Sequence, residues 1–488
     1  MIPSHPILSC DETRALEEKL FAGEEAKEWA AMQRAGRAVG AAVLRDFEEI
    51  GGFPAEGRVL VLVGKGHNGG DALIAAEFLL EQFPQAQANV VFVFGERVLR
   101  PLATRAWQAL VHAAPARVRG CEGGLSSYDL CLDGIFGFQF RPPAEARVAT
   151  LIGRANARAI RLRAAVDLPS AGLFHADFTY ATGSVKSPVV DDPAAGRLRY
   201  LDLGFFGDEA PGKQRVLTSA VLAPLGELRP ARCDKRTFGH LFVVGGSRSY
   251  PGAVLMSTCA AIRSGAGLVT AFVPESLVPA YAARVPEAMW EGWPETPDGG
   301  LAFEGIHLLR ARLERASAVV VGPGLAREPE TLALVGEIVK SAAVPVLLDA
   351  DALQPEIVRA AKTPLVLTPH AGEFKRIAGG AGLEKFAAES GATIVLKGPV
   401  TRIAAGEFVY HSFFGGPVLA RGGSGDVLAG LTGGLLAQTP ADPALAAARG
   451  AVWHGMAADL LARAHGQVAV QTTQLLDFLP AALRECRA

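Results

Sequence analysis

Short apolar runs rich in Val, Leu and Ile alternate along this chain with longer Ala-rich segments of helical period, and that alternation limits the fold more than any other feature. A strand apolar at nearly every position buries both of its faces, which calls for a parallel sheet covered on each side by crossover helices. The predicted class is therefore α/β. One series comprises "RVLVLVG" (58–64), "ANVVFVFG" (88–95), "YDLCLDG" (128–134) and "IRLRAAVD" (160–167). A second comprises "HLFVVGG" (240–246), "ASAVVVG" (316–322), "VPVLLDA" (344–350), "TPLVLT" (363–368) and "GATIVLKG" (391–398). Between them, residues 203–235 are dominated by Pro, Gly and charged side chains, which puts the boundary near residues 215–230. A chain of 488 residues can supply a separate core to each series.

The formal net charge of −2 gives no reason to expect nucleic acid or an acidic membrane as partner, so a small molecule is the expected substrate. Six cysteines, Cys10, Cys121, Cys131, Cys233, Cys259 and Cys486, include no CxxC pair; neither a zinc pattern nor a disulfide framework results, and a reducing cytoplasm is the natural location. No run of about 18 apolar residues occurs and the first residues do not read as an export signal, so no membrane span is expected. The sequence leaves the oligomeric state open, a homo-oligomer included.

In the first series, "VLVGKGHNGGDALIAAEFLL" (61–80) is a strand, a glycine-rich turn and a helix, an order that aims backbone N–H groups at a phosphate. Its spacing matches neither GxGxxG nor GxxxxGK[ST]. "LDGIFGFQFRPP" (132–143) and "AVDLPSAG" (165–172) place Asp133, Asp167 and Ser170 just past two further strands. Right-handed crossovers bring such strand ends to one rim, where Asn68, Asp71, Asp133, Asp167 and Ser170 can converge. Oxygen ligands of this kind suit a hard cation such as potassium.

"GHNGGDAL", "LDGIFGFQF" and "VDLPSA" resemble the NNGGDG, DAIFG and VDIPSG motifs of the NAD(P)H-hydrate epimerases, and "AMQRAGRAVG" (31–40) resembles the helix that precedes them. The resemblance implies a Rossmann-like domain over residues 1–215, with potassium held by Asn68, Asp133 and Ser170. It places the hydrated nicotinamide nucleotide against His67, Asn68, Gly69, Gly70 and Asp71, and against Gly137, Phe138, Gln139, Phe140, Arg141, Pro142 and Pro143. Asp167 would be the acid/base. The chain departs from the family pattern at Ala72 and Ala171, where glycine is usual.

In the second series, within "VYHSFFGGPVLARGGSGDVLAGLTGGLLA" (409–437), the stretch "ARGGSGDVLAG" (420–430) sets four glycines around one carboxylate at a helix start. Amides of Gly423, Ser424 and Gly425 can stabilise a transferred phosphoryl group while Asp426 accepts a hydroxyl proton. The segment resembles the G[AT]GD motif of the ribokinase-like superfamily. With "GHLFVVGGSRSYPGAVLMSTCAAIRSGAGLVT" (239–270), "VVVGPGLA" (319–326), "LLDADAL" (347–353), "LTPHAGEF" (367–374) and "VLKGPVT" (395–401), it is similar in motif order to the ADP- or ATP-dependent NAD(P)H-hydrate dehydratases. That resemblance implies a ribokinase-like domain over residues 225–488. Ala253, Gly324, His370 and Asp426 would lie against the hydrate, with Asp426 as catalytic base, and Lys397, Gly398, Pro399, Val400, Thr401 and Gly425 would bind the nucleotide. Departures are "DKRTFGH" (234–240), Ala326 and "FGGPVL" (414–419).

Together the resemblances imply two three-layer α/β/α domains that repair hydrated NADH and NADPH. The first would interconvert the R and S hydrates; the second would dehydrate the S form with ADP as co-substrate, releasing AMP and phosphate, with magnesium accompanying the nucleotide. Two alternatives stay open: a ribokinase-like kinase of a small metabolite, and an active dehydratase fused to a non-catalytic binding module.

Overall fold

The computed structural model describes residues 2–120, 127–207 and 212–486, so Cys121 lies outside the described residues. The chain divides into two compact units, residues 5–212 with 462–466, and residues 1–4 with 213–461 and 467–488.

The first unit is built on a seven-stranded parallel sheet in the order Val118–Gly120, Gln87–Phe92, Arg58–Val63, Tyr128–Gly134, Ile160–Val166, Phe178–Thr182 and Arg197–Leu201. Alternate side chains feed two cores. Val59, Val61 and Val63 pack with the helices Glu25–Phe47, His67–Gln82 and Pro101–Ala113, while Leu60 and Leu62 pack with Ala146–Asn156 on the other face. This two-sided burial is why the strand reads as an unbroken apolar run. Strand order reverses between Arg58–Val63 and Tyr128–Gly134, opening a crevice at their carboxyl ends. The two strands close so tightly there that a Cβ on Gly64 would lie 1.8 Å from the Ile135 carbonyl oxygen.

The second unit has a sheet in the order Met289–Trp293, Leu268–Pro274, His240–Val244, Ala318–Val321, Val346–Leu348, Leu365–Leu367, Thr393–Leu396, Thr401–Ala405, Phe408–Ser412 and Gln214–Leu217. The first seven are parallel, the hairpin Thr393–Leu396, Thr401–Ala405 and Phe408–Ser412 is antiparallel, and Gln214–Leu217 runs parallel to the last of these. Leu241 and Val243 face the helices Pro251–Arg263 and Ser424–Gln438; Phe242 and Val244 face the layer containing Pro329–Ser341. Both units are thus three-layered α/β.

The segment that reads as a linker contributes the strand Gln214–Leu217 and the 3-10 helix Ser219–Gly226 to the second unit. Four residues are too few to show a period. Among the described residues, no helix is long and apolar enough to cross a membrane, and Cys10, Cys131, Cys233, Cys259 and Cys486 are free thiols.

Candidate active sites

In the first unit a cavity of about 470 Å³ opens at the strand-order reversal. His67, Asn68, Asp71, Gly137, Phe138, Gln139, Phe140, Arg141, Pro143 and Asp167 line it, as the sequence motifs suggest. Gly69, Gly70 and Pro142 do not. A Cβ on Gly69 would meet the Gly64 carbonyl oxygen at 2.6 Å and one on Gly70 the Met32 sulfur at 2.5 Å, so these glycines let the helix His67–Gln82 seat against its neighbours. Ala72 behaves likewise: it is fully buried against Gly134, away from the cavity wall.

Asp133 and Ser170 are fully buried behind the wall formed by Ile135 and Phe136. Ser170 donates to Asp133 through its hydroxyl (2.7 Å) and its N–H (2.8 Å), Ile135 N–H adds a third bond at 3.2 Å, and Phe136 N–H donates to Ser170 Oγ at 3.0 Å. All of these donors are neutral. Burial accordingly pushes the Asp133 carboxyl up to about 6, with the three donors pulling the other way. Asn68 Nδ2 donates to the carbonyl oxygens of Phe136 (2.9 Å) and Val166 (2.8 Å), which fixes the amide with Oδ1 against Gly137.

Asp167 follows the strand Ile160–Val166 with φ at 67°, a left-handed conformation uncommon outside glycine. Its carboxylate is ion-paired to Lys186 Nζ, with both side chains almost fully buried. Lys186 also donates to the carbonyl oxygens of Thr182 (3.0 Å) and Ser184 (3.1 Å). It sits in the short strand Val185–Lys186, which the N-terminal residues Ile7 and Leu8 hold in parallel pairing. Glu17, on the helix Cys10–Phe21, joins the same cavity wall. That helix is fixed by a capping box in which Ser9 and Glu12 exchange hydrogen bonds. Burial raises Glu17 to about 7 in spite of Lys186. Lys65 and Arg100 add positive charge to the lining. Glu17, Arg100 and Lys186 do not stand out in the sequence, because each belongs to a segment without a motif of its own; Lys65 lies within the glycine-rich turn but is not among the residues its motif singles out.

In the second unit, Gly423 takes φ of 90° and starts the helix Ser424–Gln438, which puts Asp426 in its first turn. Lys397, past the strand Thr393–Leu396, donates to Asp349 Oδ1 at 2.9 Å, and Thr368 Oγ1 donates to the same oxygen at 2.7 Å. Lys397 Nζ reaches the helix start because residue 425 is glycine: a Cβ there would lie 3.2 Å from it. Burial, then the Asp349 charge, raises the Asp426 carboxyl to about 7, with Lys397 opposing. Burial also works against the charge of Lys397, but Asp349 and Glu373 outweigh it and its pKa is raised.

Gly324, with φ of 73°, lies against Ala253, and Ser247 Oγ donates to the Gly324 carbonyl at 2.8 Å. His370 is the N-cap of Ala371–Ala378: its Nδ1 accepts from Gly372 N–H (3.0 Å) and Glu373 N–H (3.3 Å), and its backbone bridges to Lys397. Gly398 and Pro399 are exposed, with Val400 and Thr401 half-buried beside them. Among the described residues no group of three or more His, Cys, Asp or Glu side chains could hold a metal ion.

A family model described as NAD(P)H-hydrate dehydratase matches residues 241–481, and one described as YjeF-related protein N-terminus matches residues 29–190. The chain is 35% identical to the bifunctional NAD(P)H-hydrate repair enzyme of Moorella thermoacetica, over 93% of this chain and 92% of that one. It is 37% identical to the protein of the same name from Gloeobacter violaceus, over 97% of each. The chain belongs to the bifunctional NAD(P)H-hydrate repair enzyme family. Both halves of the family are present, the YjeF-related half on the unit that carries Asp167 and the dehydratase half on the unit that carries Asp426. A Bacillus subtilis ADP/ATP-dependent NAD(P)H-hydrate dehydratase, crystallised with ATP and Mg2+, is 28% identical with a TM-score of 0.47, covering 55% of this repair-enzyme chain and 97% of its own.

Proposed function

We propose that this protein repairs hydrated NADH and NADPH, interconverting the R and S hydrates at the Asp167 site and dehydrating the S form at the Asp426 site with ADP. The observation that carries the assignment is Asp426 in the first turn of a glycine-led helix beside the Lys397–Asp349 pair. A carboxylate poised at about 7 is matched to taking a proton near neutrality.

Asp426 takes the proton of the C6 hydroxyl, whose oxygen forms a bond to the terminal phosphorus of ADP as AMP departs. The amides at Gly423, Ser424 and Gly425 and the Lys397 ammonium stabilise charge on the transferred group. The N1 lone pair then expels phosphate from C6, and loss of a C5 proton restores the dihydronicotinamide. Ala253, Gly324 and His370 border the hydrate; Gly398, Pro399, Val400 and Thr401 border the nucleotide. A magnesium ion accompanying the nucleotide would neutralise charge on its phosphates.

In the first unit Asp167 moves the proton and Lys186 holds its carboxylate in place. Lys65, Arg100 and Arg141 suit the phosphates of the hydrate. Asn68, Asp133 and Ser170 fit a potassium ion by donor type: all three carry oxygen, Ser170 is bonded to the buried Asp133 carboxylate, and that carboxylate has only neutral partners. Such an ion would keep Asp133 ionised. The free thiols accord with a cytoplasmic location.

The test supplies purified protein with an R/S hydrate mixture and either ADP or ATP and follows recovery of the reduced-nicotinamide absorbance. Recovery of both epimers supports the assignment. Accumulation of a stable phosphorylated hydrate would show a kinase instead.

A further inference from the structure

Asp71 differs from Asp133 and Asp167, the other two aspartates at the epimerase site. It lies in the first turns of His67–Gln82, is 7% exposed, and borders the same cavity as Asp167. Yet its Oδ1 is buried without a hydrogen-bond partner, whereas Asp133 receives three donors and Asp167 an ammonium. Its charged neighbours are mainly of its own sign, Asp167 and Glu17, with Lys186 already committed to Asp167. An ionised carboxylate in that setting would be desolvated, unpaired and repelled. Burial first, then Asp167 and Glu17, hold Asp71 well above the usual carboxylate range. A neutral carboxylic acid has one O–H to donate, and Asp71 holds it at the wall of the substrate cavity.

We propose that Asp71, as a carboxylic acid, is the second catalytic residue of the epimerase, donating its proton to the C6 oxygen of the hydrate while Asp167 serves the other ring face. The inference rests on the repair function proposed above. Asp71 gives its proton to the C6 hydroxyl; the C6–O bond breaks with its electrons on oxygen, which leaves as water, and the N1 lone pair forms the N1=C6 iminium. A water molecule then bonds to C6 from the other side and gives its proton to Asp167. The product is the inverted hydrate. Proton transfer from Asp167 back to Asp71 resets the site, and running the sequence backwards inverts the other epimer. Asp71 and Asp167 thereby divide protonation and deprotonation between two carboxyls of one cavity.

The experiment uses the full chain, R hydrate alone, and water enriched in oxygen-18. The wild type should place one solvent oxygen at C6 per inversion. Asp71→Asn, which keeps the shape and a donor but cannot release a proton, should lose about 100-fold or more in epimerisation kcat with KM changed by less than about threefold. A substrate-contacting residue without a proton-transfer role would move KM instead. Inversion without solvent oxygen, or wild-type kcat in Asp71→Asn, overturns the proposal. So does a failure of Asp71→Asn to fold, because asparagine is isosteric with the neutral acid and only a charged Asp71 would be missed. Asp167→Asn in parallel separates the two claims: if it is inactive while Asp71→Asn is active, only the Asp71 role fails, if both are active the Asp167 role fails as well, and a wild type that does not invert R hydrate overturns the epimerase reading itself.

Discussion

Lys397 Nζ donates to Asp349 Oδ1 at 2.9 Å, and the pair is set against the helix start that carries Asp426. The Asp349 charge is the second cause, after burial, of the raised Asp426 carboxyl. Replacing Asp349 by Asn should therefore shift the acid limb of the dehydration pH profile to lower pH. It should also cost about 2 kcal/mol in the second unit, less than a fully buried unpaired charge because Lys397 is partly exposed. Denaturant unfolding and a pH–rate profile on the same variant check both.

Asp426 predicts a pH dependence of opposite sign for activity and stability. As a base titrating at about 7, it makes dehydration rise with pH and level off above that value. Its folded-state pKa lies above the unfolded value of about 4, so the folded chain holds the extra proton between those limits and stability falls as pH rises through them. Asp426→Asn should consequently raise Tm at pH 8 relative to wild type, leave it little changed at pH 4, and abolish dehydration at both.

Much of the scaffold was legible because fully buried parallel strands leave no ambiguity: Arg58–Val63, Tyr128–Gly134 and His240–Val244 are apolar on both faces and read directly. The edges were not. Val118–Gly120, Arg197–Leu201 and Thr401–Ala405 are short or carry polar residues where one face is open, and Leu268–Pro274 follows a glycine-rich turn that masks its start. Asp167 and Asp426 could be found because each ends or begins an element at a sheet rim. Lys186 could not, since its place depends on pairing between Val185–Lys186 and the distant N-terminal strand. Glu17 has no motif either, and the meeting of Asp349 with Lys397 spans 48 residues of sequence.

Gly425 is predicted to act through space. A methyl group there would stand 3.2 Å from Lys397 Nζ, which must withdraw by a few tenths of an ångström. Because that atom ends a flexible side chain, Gly425→Ala should fold with nearly wild-type Tm, while KM for the nucleotide rises about tenfold, equivalent to ~1.4 kcal/mol. Steady-state kinetics with saturating S hydrate measures it.

Lys186→Met should strand the Asp167 carboxylate in a buried site, destabilising the first unit by about 3 kcal/mol and abolishing epimerisation. The double variant Lys186→Met with Asp167→Asn should recover most of the stability and none of the activity. Equal stability of the single and double variants would mean that the pair is not coupled.

Division of labour between Asp167 and Asp426 is tested most directly by giving Asp167→Asn protein an R/S hydrate mixture with ADP and following the reduced-nicotinamide absorbance to completion. The S fraction should disappear at the wild-type rate and the reaction then stall with R hydrate remaining, apart from slow spontaneous epimerisation. Adding a separate protein with an intact first unit and Asp426→Asn should restart it, because the hydrates diffuse between sites. Consumption of both epimers at the wild-type rate by Asp167→Asn alone would contradict the two-site account.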